Sequence, residues 1–147
     1  MGKKNRSDDK AGELKICAMS TELSDELKRF RFSKKRSTNA LILKIDSVKQ
    51  LIALDKKLED CTPEEIRNEL PSQQPRYVVI SYEHTHDDGR LSYPLYLVLY
   101  SPSGCNPRLQ MMYAGSRNSL AKECGLNKNF EIREADELTK ELLESRM

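Results

Sequence analysis

Residues 76–100 read RYVVISYEHTHDDGRLSYPLYLVLY. The runs 76–83 and 91–100 are rich in β-branched and aromatic residues, and the residues THDDG at 85–89 favour a tight turn between them. This stretch therefore predicts a β-hairpin. Apolar residues of the second run occupy both alternating sets of positions, which predicts a strand that helices cover on both faces. Pro94 has no amide hydrogen to donate to a neighbouring strand, so we expect it at a bulge or an edge.

The sequence on either side of this hairpin predicts seven further elements. These are a helix capped by Ser20 or Thr21 and reaching about Arg29, a strand at 40–45 with its partner at 50–54, a short helix from Pro63 to about Leu70, a long helix from Pro107 to about Cys124, a strand at 130–132 and a last helix from Asp136 onward. The order predicts an α+β fold in which a mixed sheet of five to six strands lies between two helical layers.

The composition suits one domain without a membrane anchor. The 147 residues carry 25 Lys and Arg against 23 Asp and Glu, a net charge of +2. No apolar run is long enough to span a bilayer and no hydrophobic segment follows the start, so we expect neither membrane insertion nor a secretory signal. The first dozen residues have almost no apolar content, which predicts a flexible tail over 1–15 before a single domain over 16–147.

The chain shows no complete catalytic or metal-binding motif. Four cysteines lack the paired spacing of a zinc site or disulfide framework, which favours reduced thiols: Cys17, Cys61, Cys105 and Cys124. His84 and His86 stand beside Asp87 and Asp88, but no distant third ligand is evident, so a solvated hairpin tip is the better interpretation. We therefore expect no enzyme activity, no cofactor and no metal.

A basic run with interleaved aromatics, KRFRFSKKR at 28–36, leaves several interpretations open. It could bind nucleic acid or phosphoinositide, meet an acidic protein surface, or be a solvated helix end. Nucleic-acid binders tend to be strongly basic overall and this chain is not, which favours the acidic protein surface. Phe30 continues the apolar face of Leu23 and Leu27, so it is expected in the core.

The predicted long helix has two kinds of face. Its buried stripe follows i, i+3 and i+4 steps and consists of Leu109, Met112, Tyr113, Ser116, Leu120 and Cys124. A neighbouring face carries Arg108, Met111, Gly115 and Asn118. Met offers an adaptable apolar contact and Gly allows close approach, as a partner surface needs, although Met111 could equally pack at the edge of the core.

Several segments carry a family resemblance. The helix segment LQMMYAGSR (109–117) resembles the actin-contacting helix of the actin-depolymerising factor homology (ADF-H) domain of cofilins. Longer segments are similar to the glia maturation factor branch of that family: KRFRFSK (28–34), ELPSQQPRYVV (69–79), HDDGRLSYPL (86–95), LQMMYAGS (109–116) and FEIRE with DELT (130–139). The resemblance implies the ADF-H (cofilin/gelsolin-like) fold from residue 16 onward.

The resemblance also implies a function. Glia maturation factors bind the actin-related protein 2/3 complex instead of actin filaments, inhibit branched nucleation and promote debranching without catalysis. It further implies a monomer in the cytoplasm, at the actin-rich cortex or lamellipodia with a possible nuclear pool, and weak or no direct filament binding. The alternative is a cofilin-like protein that binds and severs filaments.

Two partner-binding surfaces follow from this resemblance. The first joins the long helix to the N-terminal region and comprises Lys34, Lys35, Arg108, Met111, Gly115, Arg117 and Asn118. The second is the charged hairpin, with Glu83, His84, His86, Asp87, Asp88 and Arg90. Cofilins have two basic positions at the start of the long helix, where this chain reads Arg108, Leu109 and Gln110, so one of the two is lost. The last segment carries five acids that would repel acidic actin: Glu134, Asp136, Glu137, Glu141 and Glu144.

Overall fold

The computed structural model describes residues 17–33, 36–126 and 128–147 of the chain. The predicted tail at 1–15, and with it Lys34 and Lys35 of the first predicted surface, lies outside these residues. The elements in chain order are β1 (Ala18–Met19), α1 (Thr21–Arg31), β2 (Asn39–Asp46), β3 (Leu51–Leu58), α2 (Pro63–Asn68), β4 (Arg76–Ser81), β5 (His84–Thr85), β6 (Leu91–Ser92), β7 (Leu95–Tyr100), α3 (Pro107–Cys124), β8 (Lys128–Ile132), a 3-10 turn (Ala135–Glu137) and α4 (Lys140–Ser145).

Six of the strands form one mixed sheet in the order β1-β3-β2-β4-β7-β8. The two outer pairs, β1 with β3 and β7 with β8, are parallel, and the three inner pairs are antiparallel. Strands β5 and β6 form a separate two-stranded hairpin between β4 and β7. The predicted α+β fold with a mixed sheet is therefore confirmed.

Helices cover both faces of the sheet, as the apolar pattern of the second run predicts. Leu97 and Leu99 of β7 pack with α1 and α3, whereas the alternate residues Tyr96 and Val98 pack with α2 and α4. Because successive side chains of a strand point to opposite faces, one strand supplies both hydrophobic cores. Within the described residues, no helix is both long enough and apolar enough to cross a bilayer.

Local capping signals fix the helix starts that the sequence predicts. The Ser20 hydroxyl accepts a hydrogen bond from the Leu23 amide, and Thr62 forms a reciprocal capping box with Glu65. Gly125 adopts a left-handed conformation that ends α3. The four cysteines are all buried, and no disulfide joins any two of them.

The strand predicted at 50–54 continues to Leu58, and two other predicted elements are divided in the structure. The predicted last helix from Asp136 is a 3-10 turn followed by α4, which begins at Lys140 behind the Thr139 cap. Leu138 separates them because it adopts an extended conformation with its side chain fully buried. The predicted strand 91–100 is also interrupted, since Tyr93 and Pro94 lie outside both β6 and β7 and the Pro94 carbonyl accepts the Tyr82 amide instead.

Candidate partner-binding site

Three buried hydrogen bonds fix how α3 is rotated on the sheet. The Tyr113 hydroxyl accepts the Ile45 amide of β2 at 2.8 Å, and the Ser116 hydroxyl accepts the Cys17 amide at 2.9 Å. The Tyr77 hydroxyl donates to the Tyr113 carbonyl. A rotation of the helix would leave these buried polar groups without partners. The hydrogen bonds therefore fix which residues of α3 face the sheet and which lie on the opposite face.

The opposite face presents the predicted partner residues to solvent. Arg108 and Asn118 are exposed, Gly115 is half-buried, and Met111 is 52% exposed. These residues follow steps of three and four along the helix, so they form one outward stripe. The interpretation of Met111 as a core-edge residue does not fit this exposure. We call Arg108, Met111, Gly115 and Asn118 the long-helix surface.

The first turn of α3 is held by its cap. The Asn106 side chain accepts hydrogen bonds from the Arg108 amide at 2.7 Å and the Leu109 amide at 3.4 Å, and the Gln110 side chain donates to the Pro102 carbonyl at 3.1 Å. These contacts order the turn that carries Arg108, which reduces the entropy that a partner would have to remove on binding.

Arg117 lies apart from the long-helix surface. Its guanidinium is 3.9 Å from the Glu131 carboxylate of β8, and the side chain is half-buried on the sheet side of α3. Glu131 also contacts Arg133 at 3.1 Å. The geometry therefore ties Arg117 to the sheet edge, and a partner on the outward stripe would meet it only at the margin.

The predicted hairpin surface has an exposed tip and a base whose side chains are half-buried in the fold. At the tip, Arg90 donates to Asp88 through both its amide (3.1 Å) and its side chain (2.8 Å), and the Gly89 amide donates to the His86 carbonyl. The Arg90 contact lowers the pKa of the Asp88 carboxyl. Asp87, Asp88 and Arg90 are exposed, and we call them the hairpin tip.

At the base, the other three predicted hairpin residues are half-buried and engaged within the fold. Glu83 accepts a hydrogen bond from Tyr93 at 3.0 Å, and a ring nitrogen of His86 lies 2.9 Å from the Ser92 hydroxyl. His84 Nδ1 lies 3.4 Å from the Glu144 carboxylate. Among the described residues there is no group of three or more His, Cys, Asp or Glu that could hold a metal ion.

The sequence did not predict the contact between the hairpin base and α4. The Tyr82 hydroxyl donates to Glu144 at 2.7 Å, and the Tyr96 hydroxyl donates to the Leu143 carbonyl at 2.6 Å. The hydrogen bond from Tyr82 lowers the pKa of Glu144, and burial together with Glu144 raises the pKa of Tyr82 above its usual range. Glu144 is therefore structural as well as acidic, whereas the other four acids of the last segment are exposed.

A mixed sheet between two helical layers, with a long helix locked on one face and its opposite side open, defines an ADF-H domain. The model of the cofilin/tropomyosin-type actin-binding protein family matches residues 16–147, and the chain belongs to this family. Its members act in actin regulation, so the chain is an actin-regulatory protein of the ADF-H type.

Within the family, the chain belongs to the glia maturation factors. It is 47% identical over 134 residues to human glia maturation factor beta, covering 91% of this chain and 94% of that protein. The Drosophila melanogaster glia maturation factor is 46% identical over 132 residues, which is 90% of this chain and 96% of that protein. The solution structure of glia maturation factor from Caenorhabditis elegans superimposes with a TM-score of 0.80 at 48% identity, covering 94% of this chain and all of that one.

Proposed function

We propose that this chain binds the actin-related protein 2/3 complex, inhibits branched actin nucleation and promotes debranching, in the cytoplasm and without catalysis. The observation that carries the proposal is the identity of nearly half of all aligned residues with glia maturation factors over almost the full length of both chains. The action would be differential binding, in which the chain favours an inactive or branch-released arrangement of the complex.

The long-helix surface supplies the primary contact in this proposal. Met111 gives an apolar group that is already outside the core, Gly115 lets a partner approach the helix backbone, and Arg108 adds a positive charge on the capped first turn. A central apolar residue with a polar and charged surround is the usual arrangement of an interface hot spot.

The charge of the last segment supports the complex rather than the filament as the target. Glu134, Asp136, Glu137 and Glu141 are exposed beyond β8. Like charges across an interface oppose docking, so four carboxylates here would weaken contact with acidic filament surfaces.

The hairpin tip supplies the second contact in this proposal. Asp87, Asp88 and Arg90 are exposed between the two strands of the separate hairpin, and Tyr82, beside its base, is fixed to Glu144 of α4. A charged tip on a fixed base can reach a neighbouring subunit without a large loss of conformational freedom.

Two binding measurements in parallel test the choice of target. The purified chain is sedimented with bare actin filaments and, separately, captured with the immobilised actin-related protein 2/3 complex. Capture by the complex without cosedimentation is the expected result. Cosedimentation with filament severing would instead establish the cofilin-like function, which the description of the matching family as actin-binding favours.

Surface variants test the two contacts. Arg108→Ala with Met111→Ala should weaken capture by the complex, whereas the matched pair Arg133→Ala with Met147→Ala, which removes an exposed Arg and an exposed Met elsewhere, should not. Equal capture by both pairs would refute the long-helix contact. Charge reversal of Asp87, Asp88 and Arg90 should reduce debranching; unchanged debranching would remove the second contact from the proposal.

A further inference from the structure

A groove separate from the long-helix surface lies between the C-terminal half of α1 and the strand ends beneath it. It has a volume of about 830 Å³. Its wall includes Asn39 at the start of β2 and Leu58 at the end of β3. Tyr113 of α3 meets β2 at Ile45, so the groove lies at the opposite end of that strand. We call it the α1 groove.

The floor of the α1 groove is apolar. It is lined by Phe30, Leu58, Leu91, Tyr93 and Leu95. Leu91 is 46% exposed, and Phe30 and Tyr93 are half-buried. Partly exposed apolar and aromatic side chains lining a concavity of this size are typical of a site that receives a few side chains of a ligand.

The rim of the groove carries excess positive charge. Its acid Glu26 contacts Arg29 at 2.8 Å and Lys57 at 3.0 Å, and Lys57 also lies 3.6 Å from Glu59. The same contacts with Arg29 and Lys57 lower the pKa of Glu26, which favours its ionised, paired form.

The rim carries two further cations besides Arg29 and Lys57. Arg31 and Arg36 line the groove and are exposed, and neither forms an ion pair with a described residue. Arg31 lies over the Phe32 ring at 5.5 Å. The net charge around the apolar floor is therefore positive.

We propose that the α1 groove binds an acidic, amphipathic peptide segment of a partner protein, with the apolar side chains of the segment on the floor and its carboxylates at Arg31 and Arg36. The apolar floor disfavours a purely electrostatic ligand, and the unmatched guanidinium groups favour carboxylates, which they can bind in a bidentate manner. The groove continues into the hairpin through Leu91 and Tyr93, so one partner could contact both. The inference does not depend on the proposed function.

The test uses the full chain and two fluorescein-labelled peptides that share the same Leu and Trp positions. In one peptide the remaining positions are Asp and Glu, and in the other they are Lys. Fluorescence anisotropy should show that the acidic peptide binds and that salt weakens the binding, while amide shift mapping should place it at Phe30, Leu91 and Tyr93. Equal binding of the Lys peptide, or shifts confined to another surface, would overturn the proposal.

Exposed-site variants make the test specific. Arg36→Glu with Leu91→Asp should weaken the acidic peptide about tenfold or more, because it removes a rim cation and an apolar contact and adds repulsion. Arg133→Glu with Val48→Asp makes the same chemical changes at exposed positions outside the groove and should leave affinity unchanged. An equal loss in both pairs would refute the groove as the site, as would binding of single-stranded RNA there in place of the peptide, or concentration-dependent shifts that reveal a second copy of the chain as the occupant.

Discussion

The hydrogen bond from the Ile45 amide to the Tyr113 hydroxyl offers a direct test of what orients the long helix. The last paired residues of β2 and β4 are Leu43 and Tyr77, so β2 continues past the start of β4 and Ile45 has no strand partner on that side. The Tyr113 hydroxyl takes the place of that partner at 2.8 Å, and both residues are buried. Tyr113→Phe would remove one oxygen and leave a buried amide without an acceptor.

The expected loss follows from that buried amide. An unsatisfied buried polar group costs about 1–3 kcal/mol, so we expect Tyr113→Phe to lower the free energy of unfolding by about 2 kcal/mol. For a chain of this length, that change corresponds to a fall in Tm of about 4–8 °C. Urea unfolding should show a lower midpoint with an unchanged m value, since the surface exposed on unfolding is the same.

Tyr100→Phe is the matched control. Tyr100 is also buried, but its hydroxyl forms no hydrogen bond with another described residue. Removal of that hydroxyl should change the free energy of unfolding by less than about 0.5 kcal/mol. Native-state hydrogen exchange should show faster exchange of the Ile45 amide in the Tyr113 variant alone. If both variants were equally stable and Ile45 kept its protection, the account of how α3 is oriented would be wrong.

Three further changes give measurable outcomes. Gly125→Ala should lower the free energy of unfolding by about 1–2 kcal/mol in thermal melts, because residue 125 has a φ of +67° and a new Cβ would lie 3.3 Å from the Arg31 guanidinium. Thr62→Ala should cost about 0.5–2 kcal/mol in urea unfolding by removing the α2 cap, and no loss would count against the capping box. The hydrogen bond from Tyr82 lowers the pKa of Glu144, so ionised Glu144 stabilises the fold at neutral pH. This stabilisation is lost as the pH falls below 4.5, the ordinary pKa of a glutamate carboxyl. The difference in Tm between the wild type and Glu144→Gln should therefore narrow in acid, and a constant difference would contradict this.

Local signals explain which elements the sequence predicted well. The Ser20 cap, the Pro63 start and the Gly125 end each act within one helical turn, so the bounds of α1, α2 and α3 could be read from adjacent residues. The last helix was predicted too early because Asp136 and Glu137 look like an acidic first turn. Burial of Leu138 overrides that preference and delays the helix to Lys140.

The candidate site was only partly predictable. The helical period predicted which α3 residues lie outward, and Met111 and Arg108 are indeed exposed. The surface that followed from the resemblance also included Arg117, which the structure places against Glu131 of β8. The sequence prediction also treated the whole hairpin as exposed, although His84 packs beside Glu144 of α4, a contact without any local signature.

The sequence by itself determined the order of the helices and the main strands from α1 onward, the two-faced central strand, the outward stripe of the long helix and the family. Each of these depends on periodicity, capping or stretches of similar sequence, which are properties of neighbouring residues. Only the tertiary structure decided how α3 is locked, because its hydrogen bonds join residues 36, 68 and 99 positions apart. The tertiary structure alone also formed the α1 groove, which α1, the ends of β2 and β3 and the hairpin strand line together. Strand register and helix placement bring these distant segments together, so no short stretch of sequence predicts the groove.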